Sequence, residues 1–519
     1  MNHYDVVIVG AGIGGLTCGA RLSALGYKVG VFDQHYLPGG YATNFQRKGY
    51  TFDAALHGVG GLGQGQGFYQ ILQASGVMQH IQPLPKEHPY SIQWKGEKFD
   101  IPQDAGAYLA LLQRRFPEER EGIARLFDAI RRLSAEMKFL NDPGIAGWKK
   151  ALGFLAKCPT LVQWSRLTAA QVIKRHVKSE EFMSFFTVLW PYYGLPPQRL
   201  SALYFFIPWL GYHLEGTYYI QGGAQALSDA LVYVIEQNGG KVHLRQEVTE
   251  ILIHEKKTRG IRTQKGLEFT ADWVVSNASP EHTLGPLIHH HPRAEKYRKR
   301  LVEHEIGPSL TQLYIGLSCP PEELGIVEED LLLAEETDHQ ADYDNAIQGK
   351  YAAANLGLTN YNKMDPALNR SDRGVLAVTL IDDIGNWPER GEAYTRKKQE
   401  VTDILLQRLE SCYPGIKERI ALLELGTPRT MERYTKNPRG AVYGFAQTVN
   451  QSGIKRTPRK TPLPTCLWSG PGHNPAEVSK ARPPRVSWKP SAFTNSCSCG
   501  KTGNSGGESH RPENQSLLL

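Results

Sequence analysis

The chain opens on an apolar run, Val6-Val7-Ile8-Val9, with no alternation between apolar and polar positions. A short run of that kind predicts a parallel strand buried on both faces. Six residues, Gly10 to Gly15, carry four glycines, and residues 14–25 then read as a helix before a second apolar run, Val29 to Asp33. Strand, glycine turn, helix and strand make one βαβ unit, whose crossover should be right-handed. Residues 105–215 change character and read as largely helical, with long aromatic runs. Strand and helix return over 217–276. The helix there carries Leu227, Leu231, Val234 and Ile235 at i, i+4, i+7 and i+8, which is one apolar face. Gly239-Gly240 ends it, and Val242 and Leu244 alternate as a strand does. Residues 290–430 mix strands with a helix near 393–412, and no repeat at a solenoid period is present.

A chain of 519 residues predicts two or three domains. Hydrophobic residues at 41% and charged residues at 21% fit a globular protein. Seven cysteines form no CxxC pair and no His/Cys ligand spacing, so neither a metal site nor a disulfide scaffold is expected. The start reads as strand and turn, with no signal peptide, and no apolar stretch is long enough to span a bilayer. The net charge of +7 is local: residues 454–519 hold ten Lys/Arg against three Asp/Glu, which leaves residues 1–453 formally neutral. No nucleic-acid partner is therefore expected.

Gly10-Ala11-Gly12-Ile13-Gly14-Gly15 fits GxGxxG between a strand and a helix. Gly10 permits the tight turn, Gly12 lets main-chain N–H groups approach a pyrophosphate, and Gly15 lets the helix pack close to the strand. The helix N-terminus adds unpaired donors and a positive dipole end. Asp33, 23 residues after Gly10, stands where a carboxylate accepts from ribose hydroxyls. NAD and FAD share this fingerprint. Pro38-Gly39-Gly40 followed by Gly49-Tyr50-Thr51-Phe52-Asp53 favours FAD, because a second glycine pair lets the chain pass close to a flavin.

The order YDVVIVGAGIGGL, LPGGYATNF, GYTFDAALHGVG, YIQGGAQALSDAL, VTEIL and ADWVVSNASP resembles the phytoene desaturase superfamily, nearest its carotenoid cis–trans isomerase and retinol saturase branches, over roughly residues 4–465. The resemblance implies an α/β fold: a Rossmann-type FAD domain of the glutathione reductase and amine oxidase kind, with a discontinuous α+β substrate domain. The FAD domain would draw on residues 1–75, 216–290 and 441–465. The substrate side would draw on a helical, aromatic and membrane-facing 76–215 and on 291–440. By the same resemblance Gly10, Gly12, Ile13, Gly14 and Gly15 would meet the pyrophosphate, and Asp33, where relatives more often carry Glu, the ribose. Gly39 and Gly40 would lie beside a non-covalently held flavin, and the main chain of Val248 would touch adenine.

On the substrate side, Phe182, Phe185, Phe186, Trp190, Tyr192, Tyr193, Tyr204, Phe205, Phe206 and Trp209 are interrupted by prolines. Singly they read as core. Together they read as a greasy tunnel or a membrane-dipping surface for a long apolar polyene. The implied activity is an FAD-dependent oxidoreductase or isomerase acting on a carotenoid or related polyene. Its alternatives are a retinol saturase-like reductase and a polyene-binding homologue without turnover. A cytoplasmic-side location with peripheral membrane contact follows. Asp53, His57, His213 and Glu215 are read as structural or solvent-facing, and catalytic residues stay unassigned.

Relatives in this superfamily end on a stretch like WTxPGGGxxGAxxSG, which this chain lacks. Residues 466–519 are rich in Pro, Ser, Gly and Asn and read as a disordered tail. Read in a shifted frame, the codons for Asn474 to Ala481 permit P-G-G-G-F-Q-G-A. A frameshift near Thr465–Leu467 is therefore expected, and with it weaker FAD binding.

Overall fold

The computed structural model describes residues 3–142, 144–255, 257–288, 291–456, 461–463 and 465–469. The first apolar run becomes the strand His3–Val9 at the centre of a seven-stranded sheet. Val29–Phe32 and Glu268–Ser276 lie parallel to it on either side, and Lys241–His243 extends the sheet beyond Val29–Phe32. Val9 pairs with both Phe32 and Ser276, so these strands end at one level. In an open parallel sheet the crevice beyond those carboxyl ends is where ligands sit. Lys257–Thr263 and Val248–His254 complete the other side as an antiparallel meander.

The helices Ile13–Ala24 and Ala224–Gln237 cover one face, as their apolar spacing requires. Leu227, Leu231, Val234 and Ile235 are buried there with Leu16, Val6 and Ile8 in one core. The predicted strand around Val242 and Leu244 is the shorter Lys241–His243.

A second sheet runs in the order Ile420–Gly426, Ser309–Leu317, Gly374–Asp382, Leu356–Asn360, Asp330–Ala334, Ser91–Trp94, Glu97–Asp100. Its last two strands come from the segment assigned to the helical region. The helix Glu392–Cys412 packs Val401, Leu405 and Leu409 onto Leu313, Ile315, Leu376 and Val378. A long amphipathic helix thus covers one face of the sheet, whose central strands are buried on both faces.

The aromatic run is core. Phe182, Phe185, Phe186, Trp190, Tyr193, Phe205, Phe206 and Trp209 are buried, most of them in one cluster with the helix Arg120–Asn141. Rings pair edge-on or offset, as between Phe116 and Phe182 (5.4 Å between centroids) and Phe205 and Phe206 (5.0 Å). This corrects the expectation of a membrane-dipping surface built from these rings: their apolar area is spent on each other. Among the described residues no helix is long and apolar enough to cross a membrane, and no group of His, Cys, Asp or Glu is arranged to hold a metal.

The expected end of the third cofactor-domain segment at residue 465 falls short. Cys466–Trp468 is a further strand of the first sheet, parallel to Glu268–Ser276, and Ser469 donates its N–H to Ser276 O (2.8 Å). Cys466 and Trp468 are 1% exposed, so the chain follows the fold through residue 469. The tail and the P-G-G-G reading over Asn474–Ala481 lie outside the described residues.

Candidate functional site

A cavity of about 990 Å³ opens at the carboxyl ends of the parallel strands and runs to the second sheet at Tyr314, Glu424 and Leu425. Gly10, Gly12, Ile13, Gly14, Asp33, Gly39, Gly40 and Val248 all line it. The fold thus brings eight of the nine residues singled out in the sequence to one space. Gly15 stands apart. A Cβ there would lie 2.2 Å from Gly10 O, so this glycine serves the packing of helix on strand.

The glycine loop is bare on its open side. Gly12 carries no positive φ, and a Cβ on it would meet only Asn277 Nδ2, at 2.7 Å. Gly39 sits directly across: it pairs with Gly12 as a parallel bridge and donates its N–H to Ala11 O (2.7 Å). Gly40 approaches to where its Cβ would be 3.3 Å from Gly12 Cα. Two glycine segments therefore touch through main chain alone, which φ +117° at Gly39 reserves for glycine and φ +64° at Gly40 favours.

Asp33 braces this corner. Its Oδ2 accepts the Ala11 N–H and its Oδ1 the His35 N–H, both at 2.7 Å. Burial pushes its pKa up, and those two main-chain bonds pull against the shift. Each oxygen keeps a lone pair for a diol. Val248 begins its strand beside a register shift in the pairing with Lys257–Thr263, and it is 5% exposed.

Sequence reasoning missed other walls. Asn277 follows the strand Glu268–Ser276 and holds its N–H on Val9 O (2.7 Å). Its Oδ1, Gln447 Oε1 and Ser469 Oγ are buried and without hydrogen-bond partners among the described residues, and all three residues line the cavity. These atoms are therefore free to meet a polar ligand in the cavity. The only signal for Asn277 was its place after a strand, at the end of a motif already quoted.

Asp53 is structural. Its carboxylate accepts from Tyr219 OH and from the Ala224 N–H (3.0 Å) at the start of the helix Ala224–Gln237. A Cβ on Gly223 (φ +77°) would strike Asn44 Nδ2 at 2.7 Å and Asp53 Oδ1 at 2.9 Å, so this helix end is closed by the hairpin carrying Asn44 and Asp53. Burial pushes the Asp53 carboxyl up to about 7, and Asp342 likewise. In the unfolded chain such a group titrates near ~3.9. A folded pKa above the unfolded one stabilises the fold fully below about pH 4, and that contribution fades as pH rises to about 7, by up to about 4 kcal/mol per group. Melting temperature should therefore fall from pH 4 to pH 7. The fall should be shallower in Asp53→Asn, measured by thermal unfolding, and equal slopes in the two proteins would refute the assignment. His213 is also structural, 0% exposed, stacked on Tyr108 and tilted against Trp209 (centroids 4.7 and 4.4 Å apart). Glu215 is exposed.

His57 differs. It follows Ala54, Ala55 and Leu56, which line the cavity. Thr359 donates to Asp330 Oδ1 (2.6 Å) and Tyr361 to Leu56 O (3.3 Å), while both hydroxyl oxygens approach His57 Nδ1, at 3.0 and 3.2 Å. With those hydroxyl protons committed, Nδ1 is assigned as the donor and Nε2 carries the lone pair. Nε2 makes no hydrogen bond among the described residues. Burial lowers the pKa, with Asp330 and Lys86 opposing each other behind the ring, although the residue is only half-buried.

Residues 13–474 match the family profile of flavin containing amine oxidoreductases. The chain belongs to that family. It is 26% identical over 478 residues to prolycopene isomerase 1, chloroplastic, of an Oncidium hybrid cultivar, covering 89% of this chain and 78% of the relative. It is 25% identical over 505 residues to the all-trans-retinol 13,14-reductase of Danio rerio, covering 88% and 81%. Among solved structures, an oxidoreductase from Methanosarcina mazei superposes with a TM-score of 0.57 at 19% identity, covering 90% of this chain and 94% of that one. That likeness shows the fold. Membership makes the chain an oxidoreductase of flavin type, and the corner fits such a cofactor: Gly12, Gly39 and Gly40 line the cavity with bare main chain.

Proposed function

We propose that the chain binds FAD in this cavity and acts on a carotenoid or a related apolar polyene. The observation that carries the reading is the main-chain contact between Gly12 and Gly39, with Asp33 bracing the loop beside it. Gly10, Gly12, Ile13 and Gly14 at the start of the helix would hold the pyrophosphate, Asp33 the ribose and the main chain of Val248 the adenine. Gly39, Gly40 and the run Ala54–Leu56 would lie along the flavin. The wall extends over both sheets, which suits FAD better than a nicotinamide cofactor held by one unit. Bound flavin supplies hydride exchange at its ring, and the protein positions the substrate and handles the proton. His57, which follows the cavity-lining run Ala54–Leu56, is the candidate to take up or return that proton.

A saturase-like reduction is the second reading, favoured by the similarity to the retinol reductase. Purified protein should carry flavin absorbance. Incubation with reduced flavin and either a cis-carotene or all-trans-retinol, followed by chromatography and mass analysis, separates the two. An isomer has unchanged mass, and a saturated product gains two hydrogens. Failure to bind flavin would sink both readings.

A further inference from the structure

Helix Gly147–Lys157 has the sequence GWKKALGFLAK, with three lysines and no acid. Phe154 packs against the helical core, Lys150 Nζ donates to Leu140 O (2.7 Å), and Lys157 lies over the Phe139 ring (5.0 Å). These contacts fix the helix and leave its other side outward. Leu152 and Leu155, one turn apart, are 78% and 75% exposed, two of the three most exposed large apolar side chains among the described residues. Lys149 lies one turn before Leu152 on the same stripe and is exposed. The surrounding sequence is one-signed: from Pro143 to Ser179 there are seven Lys/Arg and no Asp or Glu, while residues 1–453 as a whole sum to zero, so this segment is locally cationic against an acidic remainder. Lys157, Arg166, Lys174, Arg175 and Lys178 are exposed.

We infer that this helix is a docking surface for an anionic lipid bilayer. Outward leucines on a helix of lysines are what an in-plane interfacial helix presents: the apolar side chains enter the acyl boundary while the ammonium groups meet lipid phosphates and carboxylates. Lys174 is paired with Glu180 (2.7 Å), and the other exposed cations of the run add attraction within a Debye length of a negative leaflet. The inference does not depend on the flavin reading. It replaces the buried aromatic run as the membrane-facing element.

The test is sedimentation of the full chain with phosphatidylcholine vesicles, with and without phosphatidylserine. The wild type should pellet with the anionic vesicles and release at high salt. L152S/L155S should bind them at least about tenfold more weakly, since two leucines lose their burial. K149Q/K157Q should bind anionic vesicles about tenfold more weakly and narrow the preference for them over neutral ones. Thermal unfolding of L152S/L155S should match the wild type, because both leucines are outward. No binding by the wild type overturns the inference. So does wild-type binding that L152S/L155S leaves unchanged, the result expected if the basic residues after 453 alone attract the vesicles.

Discussion

Gly12→Ala should yield a folded protein that purifies without flavin. At φ −70° alanine fits the backbone, so no strain is added there. The new Cβ would stand 2.7 Å from Asn277 Nδ2, a side-chain atom that can give way, on the open side of the loop. The methyl then occupies the approach a phosphate needs. Each main-chain hydrogen bond to a charged group lost in this way costs about 1.5–3 kcal/mol, so affinity should fall tenfold to a hundredfold or more. Gly39→Ala is the informative contrast. Its φ is +117°, and its Cβ would lie 2.1 Å from Ala42 O and 2.5 Å from Ser228 Oγ, so the backbone itself must move. Overpacking of that kind costs about 1–3 kcal/mol before the left-handed strain is counted. The first variant should be colourless with near-native melting, and the second colourless and destabilised. Titration of FAD into the apoproteins, with melting curves alongside, measures both. A Gly12→Ala protein with full flavin content would show that nothing binds at this corner.

Asp33→Ala should lose both stability and cofactor. The carboxylate is the acceptor for Ala11 N–H and His35 N–H, each at 2.7 Å. Removing it strands two main-chain donors at about 1–3 kcal/mol each, and the glycine loop loses its only side-chain brace from the neighbouring strand. A melting temperature lower by several degrees is expected, with flavin affinity reduced further by the lost ribose acceptor. Asp33→Asn keeps one acceptor oxygen and should fall between wild type and alanine. An alanine variant that melts like the wild type would mean the loop holds its shape without the acid.

The glycine corner was legible because its requirements are local. A parallel strand, a turn at Gly10 and the close approach of Gly12 are written in consecutive residues, and Asp33 follows one strand later. The amphipathic helix carrying Leu227 and Leu231 was legible for the same reason. Asn277, Gln447 and Ser469 were not, since each is an ordinary polar residue whose importance comes from facing the same space. The contacts of His57 with Thr359 and Tyr361 were not legible either, because those residues lie some 300 positions away.

By itself, then, the sequence determined the glycine corner, its acid and the elements that carry them, because hydrogen-bond geometry and side-chain periodicity act over a few neighbouring residues. Tertiary structure alone decided which aromatic rings would be core, which leucines would face outward, where the last strand of the first sheet ends, and which polar atoms would be left unpaired against the cavity. Those outcomes depend on which surfaces of distant segments meet when two sheets and a helical layer pack together, and burial is a property of that meeting rather than of any one stretch of chain.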